Sequence, residues 1–457
     1  MRGPPIALLA ACLLAPCLRG AAATPMPAVV DDAALSAAVV AARHRFLARQ
    51  PFERFDVTVL ERAADGRWLR GSVGGGVLEY PASAVKLAYL VAAVHWCAGR
   101  GRSPDCLDAD VRPMIVDSDN VATGRVIDAI SGAPNLDAGT DAEFDTWLVK
   151  RRYTERLMAG HGLLGGQRLL NKTWPTNSGE EPLGFEKLSI ARVGRNAMSP
   201  EDSARLMLAI EEGAIEAQAT PYMKELLQRE RYGGHGSFGR GLPPGTDYRA
   251  KIGNAYDTLQ EIAAFTLPDG RRFVIAAFSN GLNQEDPPPH DIGTLGSFIE
   301  ELLAALPAPA GAAAWSSVAS AANPSHGWET VNRQGAYSDS GIVYESAAPG
   351  AHYTWRVRVP GPGSYELAAW YPAGAAQTAS AAYSVGGEAP LATLDQQHWH
   401  ARWLPLGTVD VDGTDLAVTV RNTGAGTLVA DALRVVAVQP GAMTAPRSSS
   451  SVRSTER

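Results

Sequence analysis

Apolar and polar positions along the chain change their period several times, and each change marks an element. Residues 31–50, "DDAALSAAVVAARHRFLARQ", open acidic, run apolar at helical spacing and close basic, which predicts a helix aligned with its own dipole. "RFDVTVLERAADGRWLRGSV" (54–73) alternates on either side of Asp65-Gly66 and predicts a strand, a turn and a second strand. A long, mostly helical stretch follows. It includes "SPEDSARLMLAIEEG" (199–213), where Ser199 and Pro200 mark a helix start. Strand character returns in "LQEIAAFTLPDGRRFVIAAFSN" (259–280), with Pro268-Asp269-Gly270 as the turn of a hairpin. "IGTLGSFIEELLAAL" (292–306) is a closing amphipathic helix. This order predicts an α+β domain over 31–306, its last helix packed on an antiparallel sheet.

The texture then changes. Residues 307–325, "PAPAGAAAWSSVASAANPS", are almost free of charge and rich in Ala, Pro and Ser, and are expected to be a linker. From 326 to 438, short alternating runs such as "TWRVRVP", "YELAAWY" and "LAVTV" are separated by Gly, Pro and Asp, the pattern of an all-β sandwich. The tail, 439–457, is low-complexity and expected to be disordered.

A chain of 457 residues fits two cores better than one. Charged residues make up 19% and the formal net charge is -7, which excludes non-specific nucleic-acid binding, a function that needs an excess of Lys and Arg. The first residues, "MRGPPIALLAACLLAPCLRGAAATP", carry Arg2, a short apolar core and Ala21-Ala22-Ala23, which predicts an export signal over 1–23. "LAAC" at Leu9–Cys12 is also a lipoprotein pattern; cleavage near Ala23 is the preferred expectation. No later run is long enough for a transmembrane helix. Cleavage leaves Cys97 and Cys106, nine residues apart in an exported protein, and they are expected to pair. No metal or other cofactor is expected, because these cysteines have no further Cys or His at zinc spacing.

Three short motifs carry chemistry. "EYPASAVKLAYL" (79–90) sets Ser83 one helical turn ahead of Lys86 in an apolar run. Burial lowers a lysine's pKa, and such a lysine takes the proton of a serine hydroxyl. Alone, the tetrapeptide is common and more often a chance pairing on a surface helix. "PMIVDSDNVATGRVID" (113–128) offers Ser118, a hydroxyl to pass a proton, and Asn120, an amide to hold a carbonyl; the plainer explanation is a helix cap. "YRAKIGNAYD" (248–257) offers Lys251 as a cation for a carboxylate and Gly253, which lets a substrate approach the strand; the plainer explanation is an edge-strand lysine.

SxxK, then SDN, then KxG, in this order, resembles the signature of the penicillin-recognising serine hydrolases, the class A β-lactamases and D,D-peptidases. The resemblance covers about residues 31–306 and implies a β-lactamase/transpeptidase-like fold. It implies Ser83 as the nucleophile, Lys86 as its base or as the group that holds the base, Ser118 as proton relay to the leaving nitrogen, Asn120 as a substrate-amide ligand and Lys251 as a carboxylate ligand. It further implies an oxyanion hole made by the N–H groups of Ser83 and Asn254, each such donor contributing ~3–4 kcal/mol. The substrate class implied is a β-lactam or a peptidoglycan-type acyl-peptide.

Two departures stand out. The middle of KxG is Ile252, where the family has a hydroxyl residue, and the E-x-x-L-N glutamate is absent: Arg168 and Gln167 stand three and four residues before Asn171. Glu180, Glu181 and Glu186 are the nearby carboxylates, expected on a solvated loop. These departures point toward slow or absent deacylation, so a peptidase, an esterase or a non-hydrolysing binding protein stays open beside a β-lactamase.

Residues 326–438 resemble the golvesin/Xly-type domain, a sandwich likened to carbohydrate-binding modules. Tyr337-Ser338-Asp339, Trp370-Tyr371-Pro372 and Ala430-Asp431-Ala432 carry the likeness. A cell-wall or other extracellular glycan is the partner this implies. Trp370, Tyr371, Trp399 and Trp403 would form its platform, although aromatics of this kind are more often sandwich core. His398 and His400 share one side of a strand, and a surface or core role is expected for them in preference to metal binding.

Overall fold

The computed structural model describes residues 25–50, 52–163, 168–169, 183–231, 236–281, 294–307, 316–322, 327–337, 341–387, 389–398 and 402–438. The segment expected to be an export signal, 1–23, and the expected tail, 439–457, lie outside these residues.

The first domain is built on a sheet of β1 (Val29–Asp31), β2 (Arg54–Arg62), β3 (Trp68–Val73), β4 (Asp247–Ala255), β5 (Thr258–Thr266) and β6 (Arg272–Asn280). Their order is β1-β3-β2-β6-β5-β4, so strands from opposite ends of the domain's sequence meet between β2 and β6. β1 runs parallel to β3, and every other pair is antiparallel. The predicted hairpins are β2–β3 and β5–β6, and Gly270 takes a positive φ of 85° in the second turn. Periodicity did not mark β1, whose three residues are too few to show a pattern.

Both faces of the sheet are covered, which is why β5 is buried at every position but its last. On one face lie α1 (Ala33–Arg49) and α10 (Gly296–Ala305), packed on Phe55, Val57, Phe265, Ile275 and Ala277. The other face supports α2 (Lys86–Ala98), α3 (Asp108–Val116), α4 (Asn120–Ser131), α5 (Asp141–Arg151), α6 (Tyr153–Gly160), α7 (Gly184–Val193), α8 (Pro200–Glu211) and α9 (Thr220–Leu227). Local chemistry starts these helices where the site needs them. The Asp119 side chain accepts from Ala122 N at 2.6 Å and so opens α4 at Asn120. Ser199 caps α8 through Asp202 N, with Pro200 in its first turn. The disulfide between Cys97 and Cys106, Cα atoms 6.0 Å apart, closes the loop that follows α2.

The second domain is all-β. Its strands are β7 (Ser316–Ser320), β8 (Glu329–Asn332), β9 (Ile342–Ser346), β10 (His352–Arg358), β11 (Gly363–Trp370), β12 (Ala381–Val385), β13 (Ala392–Leu394), β14 (Leu404–Val411), β15 (Asp415–Asn422), β16 (Leu428–Ala430) and β17 (Ala432–Ala437). They form sheets ordered β10-β15-β12-β13, β14-β11-β17-β7 and β16-β9-β8. Residues 316–320, expected within the linker, instead pair with β17 as an edge strand. The strand is hard to see in sequence because Val318 is its one larger apolar residue among small Ser and Ala.

The two domains are docked. Arg231 makes a bidentate pair with Glu366 at 2.7 and 3.0 Å, Arg434 pairs with Glu300 on α10, and Arg49 at the end of α1 lies over the Tyr337 ring at 5.3 Å. Aromatic residues of the sandwich thus face the rear of the first domain.

Candidate active site

Ser83 does not sit in the first turn of a regular α-helix. Ala82–Val85 form a 3₁₀ turn, and α2 begins at Lys86. Ala82 has φ 45°, a left-handed conformation that L-residues rarely adopt and that costs about 1–3 kcal/mol. The surroundings hold it there. Gln260 Nε2 donates to Tyr80 O at 2.8 Å, and Gly253 lies against the turn itself. A Cβ at Gly253 would stand 2.3 Å from Pro81 O, 2.8 Å from Ala84 N and 3.0 Å from Ser83 N. Gly253 therefore admits the Ser83 turn to the strand, a closer constraint than the approach of a substrate. Ala82, Ala84 and Val85 are buried, whereas Ser83 is half-buried and Asn254 exposed.

Lys86 is fully buried at the start of α2. Its Nζ donates to Ser118 O at 2.5 Å, Ser118 Oγ at 3.2 Å and Asn120 Oδ1 at 2.7 Å. Loss of hydration pulls its pKa down to about 7, opposed by the charge of Asp119. Lys251, also buried, donates to the same Ser118 Oγ at 3.0 Å and to Ile252 O at 3.0 Å. Burial pushes its pKa well down, and the neighbouring Lys86 and Arg229 charges push in the same direction. A hydroxyl has two acceptor sites and one proton, so with both lysines donating, the Ser118 proton remains to be given elsewhere. Ser118 itself has φ 59°, which aims this short turn back toward Lys86.

The fold thus gathers the SDN residues with both lysines, and sets the KxG glycine against the Ser83 turn. Ile252 faces the other way, buried with Tyr248, Ala250 and Leu259 on the α1/α10 side of the sheet. Sequence reasoning missed Arg229. Its backbone N–H donates to Tyr248 O at 2.9 Å, and its guanidinium donates to Ile115 O at 2.9 Å, three residues before Ser118. Nothing in "LLQRERY" distinguishes this arginine, because its partners are backbone carbonyls distant in sequence. Gln260 was missed for the same reason.

Two expectations need correction. Glu186 is not on a solvated loop: it lies in α7, fully buried, paired with Arg151, which also binds Asp128 at 2.6 Å. A buried arginine needs an acceptor, so this carboxylate is committed. Gln167, Asn171, Glu180 and Glu181 lie outside the described residues, while Arg168 bridges Ala197 in backbone pairing. The aromatic platform is not a platform: Trp370, Tyr371 and Trp403 are 1%, 1% and 2% exposed. Trp370 Nε1 donates to Gly335 O at 2.8 Å, Tyr371 Oη donates to Asp395 O at 3.0 Å, and Trp403 packs on Trp370, Tyr337 and Arg434. Their faces are spent on packing. Trp399 and His400 lie outside the described residues, and His398 bonds Asp395 at 2.8 Å. Among the described residues no group of three or more His, Cys, Asp or Glu could hold a metal ion. No helix among them is long and apolar enough to cross a membrane.

The sheet with helices on both faces and the all-β sandwich after it define a β-lactamase-like domain joined to a golvesin-type domain. A model of the β-lactamase enzyme family matches residues 110–302, beginning after Ser83, and a model of the golvesin C-terminal domain matches 316–437. Golvesin of Dictyostelium discoideum is 30% identical over 402 residues, covering 84% of this chain and 69% of that protein, and the chain belongs to the golvesin family. Among solved structures, PBP-A is 18% identical with a TM-score of 0.44, covering 61% of this chain and 97% of that one. A β-lactamase from Sphaerobacter thermophilus DSM 20745 is 20% identical with a TM-score of 0.39, covering 60% and 94%.

Proposed function

We propose that this protein is an exported serine hydrolase that forms an acyl-enzyme on Ser83 with a β-lactam or a related amide or ester. The observation that carries the reading is the shared hold of Lys86 and Lys251 on Ser118 Oγ, at 3.2 and 3.0 Å, beside the Ser83 turn. Lys86, in its neutral form, takes the Ser83 proton as Oγ attacks the carbonyl carbon. The oxyanion is held by the N–H groups of Ser83 and Asn254, a reading supported by the close approach of Gly253 to Ser83 N. As the C–N bond breaks, Ser118 passes its proton to the leaving nitrogen and is reprotonated from the lysines. Asn120 and Lys251 hold the substrate amide and carboxylate. Export rests on the first 23 residues, which read as a cleavable signal.

A second reading, a D,D-peptidase-like or non-hydrolysing penicillin-recognising protein, is favoured by the commitment of Glu186 to Arg151. Without a carboxylate to activate water, the acyl-enzyme persists. Intact mass after incubation with benzylpenicillin and with a D-Ala-D-Ala peptide tests both. A transient or lasting mass increase, abolished by Ser83→Ala, is expected. A released product with no lasting adduct marks a β-lactamase, a stable adduct marks the second reading, and the absence of adduct and product ends the hydrolase reading.

A further inference from the structure

The sandwich reaches the catalytic strands through a short strap. Residues 228–231 run beside β4: Gln228 bridges Arg249, and Arg229 N–H donates to Tyr248 O. The half-buried Arg229 guanidinium turns the other way, to Ile115 O at 2.9 Å and to Leu226 O and Gln228 O at 2.9 and 2.8 Å. One residue thereby joins the backbone ahead of Ser118, through its side chain, to the strand that carries Lys251, through its backbone N–H. Two residues on, Arg231 leaves the strap toward the sandwich. Its two terminal nitrogens meet both Glu366 oxygens at 2.7 and 3.0 Å, the side chains 12% and 13% exposed. Glu366 stands on β11, which is flanked by β14 and β17 and is therefore an interior strand. A planar, bidentate pair of this kind fixes orientation as well as distance.

The strap has little room to move. A Cβ at Gly239 would come within 2.3 Å of Arg231 O and 2.8 Å of Arg231 Cα. Ser237 N and Phe238 N donate to Glu261 of β5 at 2.7 and 3.0 Å, and Arg434 of the sandwich reaches Arg240 O at 3.4 Å. The sandwich thus holds described residues of the first domain at two places, Arg231 and Arg240.

We propose that the golvesin-type domain is a positioning element of the hydrolase site: the Glu366–Arg231 pair holds the strap, and Arg229 keeps the Ser118 turn and the Lys251 strand at their mutual distance. Rather than tethering a self-sufficient enzyme, the sandwich completes it. This rests on the reading of Ser83 as the acylated residue. The Arg229 charge also faces Lys251, so a displaced strap changes the titration of the site as well as its geometry. The groups that act on Lys251 there are Lys86, Arg229 and Glu261.

The test uses the full chain carrying Glu366→Arg, Arg231→Glu, or both. Each single variant is expected to lower the rate of acylation by a fluorescent penicillin at least about tenfold, since small misplacements of reacting groups have large kinetic effects. Each is also expected to move the pH midpoint of that rate and to speed hydrogen exchange in residues 113–120 and 248–254. The charge-swapped double variant restores all three. Single variants with wild-type rates and unchanged exchange overturn the proposal, as does a swap that leaves the loss in place. Where a single variant does not fold, Glu366→Gln and Arg231→Lys decide by the same measurements. If the wild-type chain takes no label, the reading of Ser83 fails, and the exchange data alone decide whether the sandwich holds these segments.

Discussion

Lys86 and Lys251, 165 positions apart in the chain, hold one hydroxyl between them: Ser118 Oγ lies 3.2 Å from the first ammonium and 3.0 Å from the second. Among the described residues neither lysine has a carboxylate in hydrogen-bonding contact, and both are buried. Their proximity makes the site a place where one cation must give way, and the consequences are measurable.

The acylation rate is expected to rise with pH through a midpoint near 7, where Lys86 loses its proton and becomes a base. Stability follows the same group. The folded value lies below the ordinary 10.5, so the unfolded chain holds more protons between about 7 and 10.5, and stability rises with pH across that window. Lys86→Met is expected to abolish acylation while raising the unfolding free energy at pH 7. Stopped-flow acylation and denaturant titration at several pH values check both signs.

Gly253→Ala is expected to slow acylation and destabilise the fold by about 1–3 kcal/mol, because the new methyl group meets Pro81 O and Ser83 N instead of open space. Thermal unfolding alongside acylation kinetics separates this outcome from a loss of substrate approach, which would leave the melting temperature unchanged.

Glu186→Gln is expected to cost about 3–5 kcal/mol of stability, since it leaves the buried Arg151 charge underpaired. The lifetime of the acyl-enzyme, followed by mass, should stay the same. A lengthened lifetime with unchanged stability would make Glu186 the water-activating carboxylate after all.

Trp403→Ala is expected to cost about 3–5 kcal/mol, the usual loss for a large aromatic removed from a core. It should also loosen the contact between domains, because the ring packs on Arg434, whose partner is Glu300. Limited proteolysis between the domains and chemical unfolding read these effects.

Local relationships were legible in the sequence, and contacts between distant segments were not. Ser83 and Lys86 are three residues apart, so their common side of a turn follows from geometry near at hand. The β5–β6 hairpin announced itself through Pro268-Asp269-Gly270. The SDN and KxG segments became meaningful only through their order, since each alone fits a cap or an edge strand. Glu186 looked solvated because its partner, Arg151, lies 35 residues earlier. Trp370 and Trp403 looked available because alternation in a strand tells which residues share a face, not whether that face is covered. β7 was hidden for a simpler reason: one valine, Val318, among serine and alanine leaves only a faint hydrophobic trace.

The left-handed backbone at Ala82 bears on how this site was assembled. A residue with a side chain is kept in an unfavourable conformation by Gln260 and Gly253, two strands that reach it from the far end of the domain. The geometry around Ser83 is therefore preorganised by tertiary structure and cannot be inherited by the segment alone. A peptide copied from residues 79–90 would not hold this turn, and transplanting Ser83 with its conformation onto another scaffold would demand the opposing strands along with it.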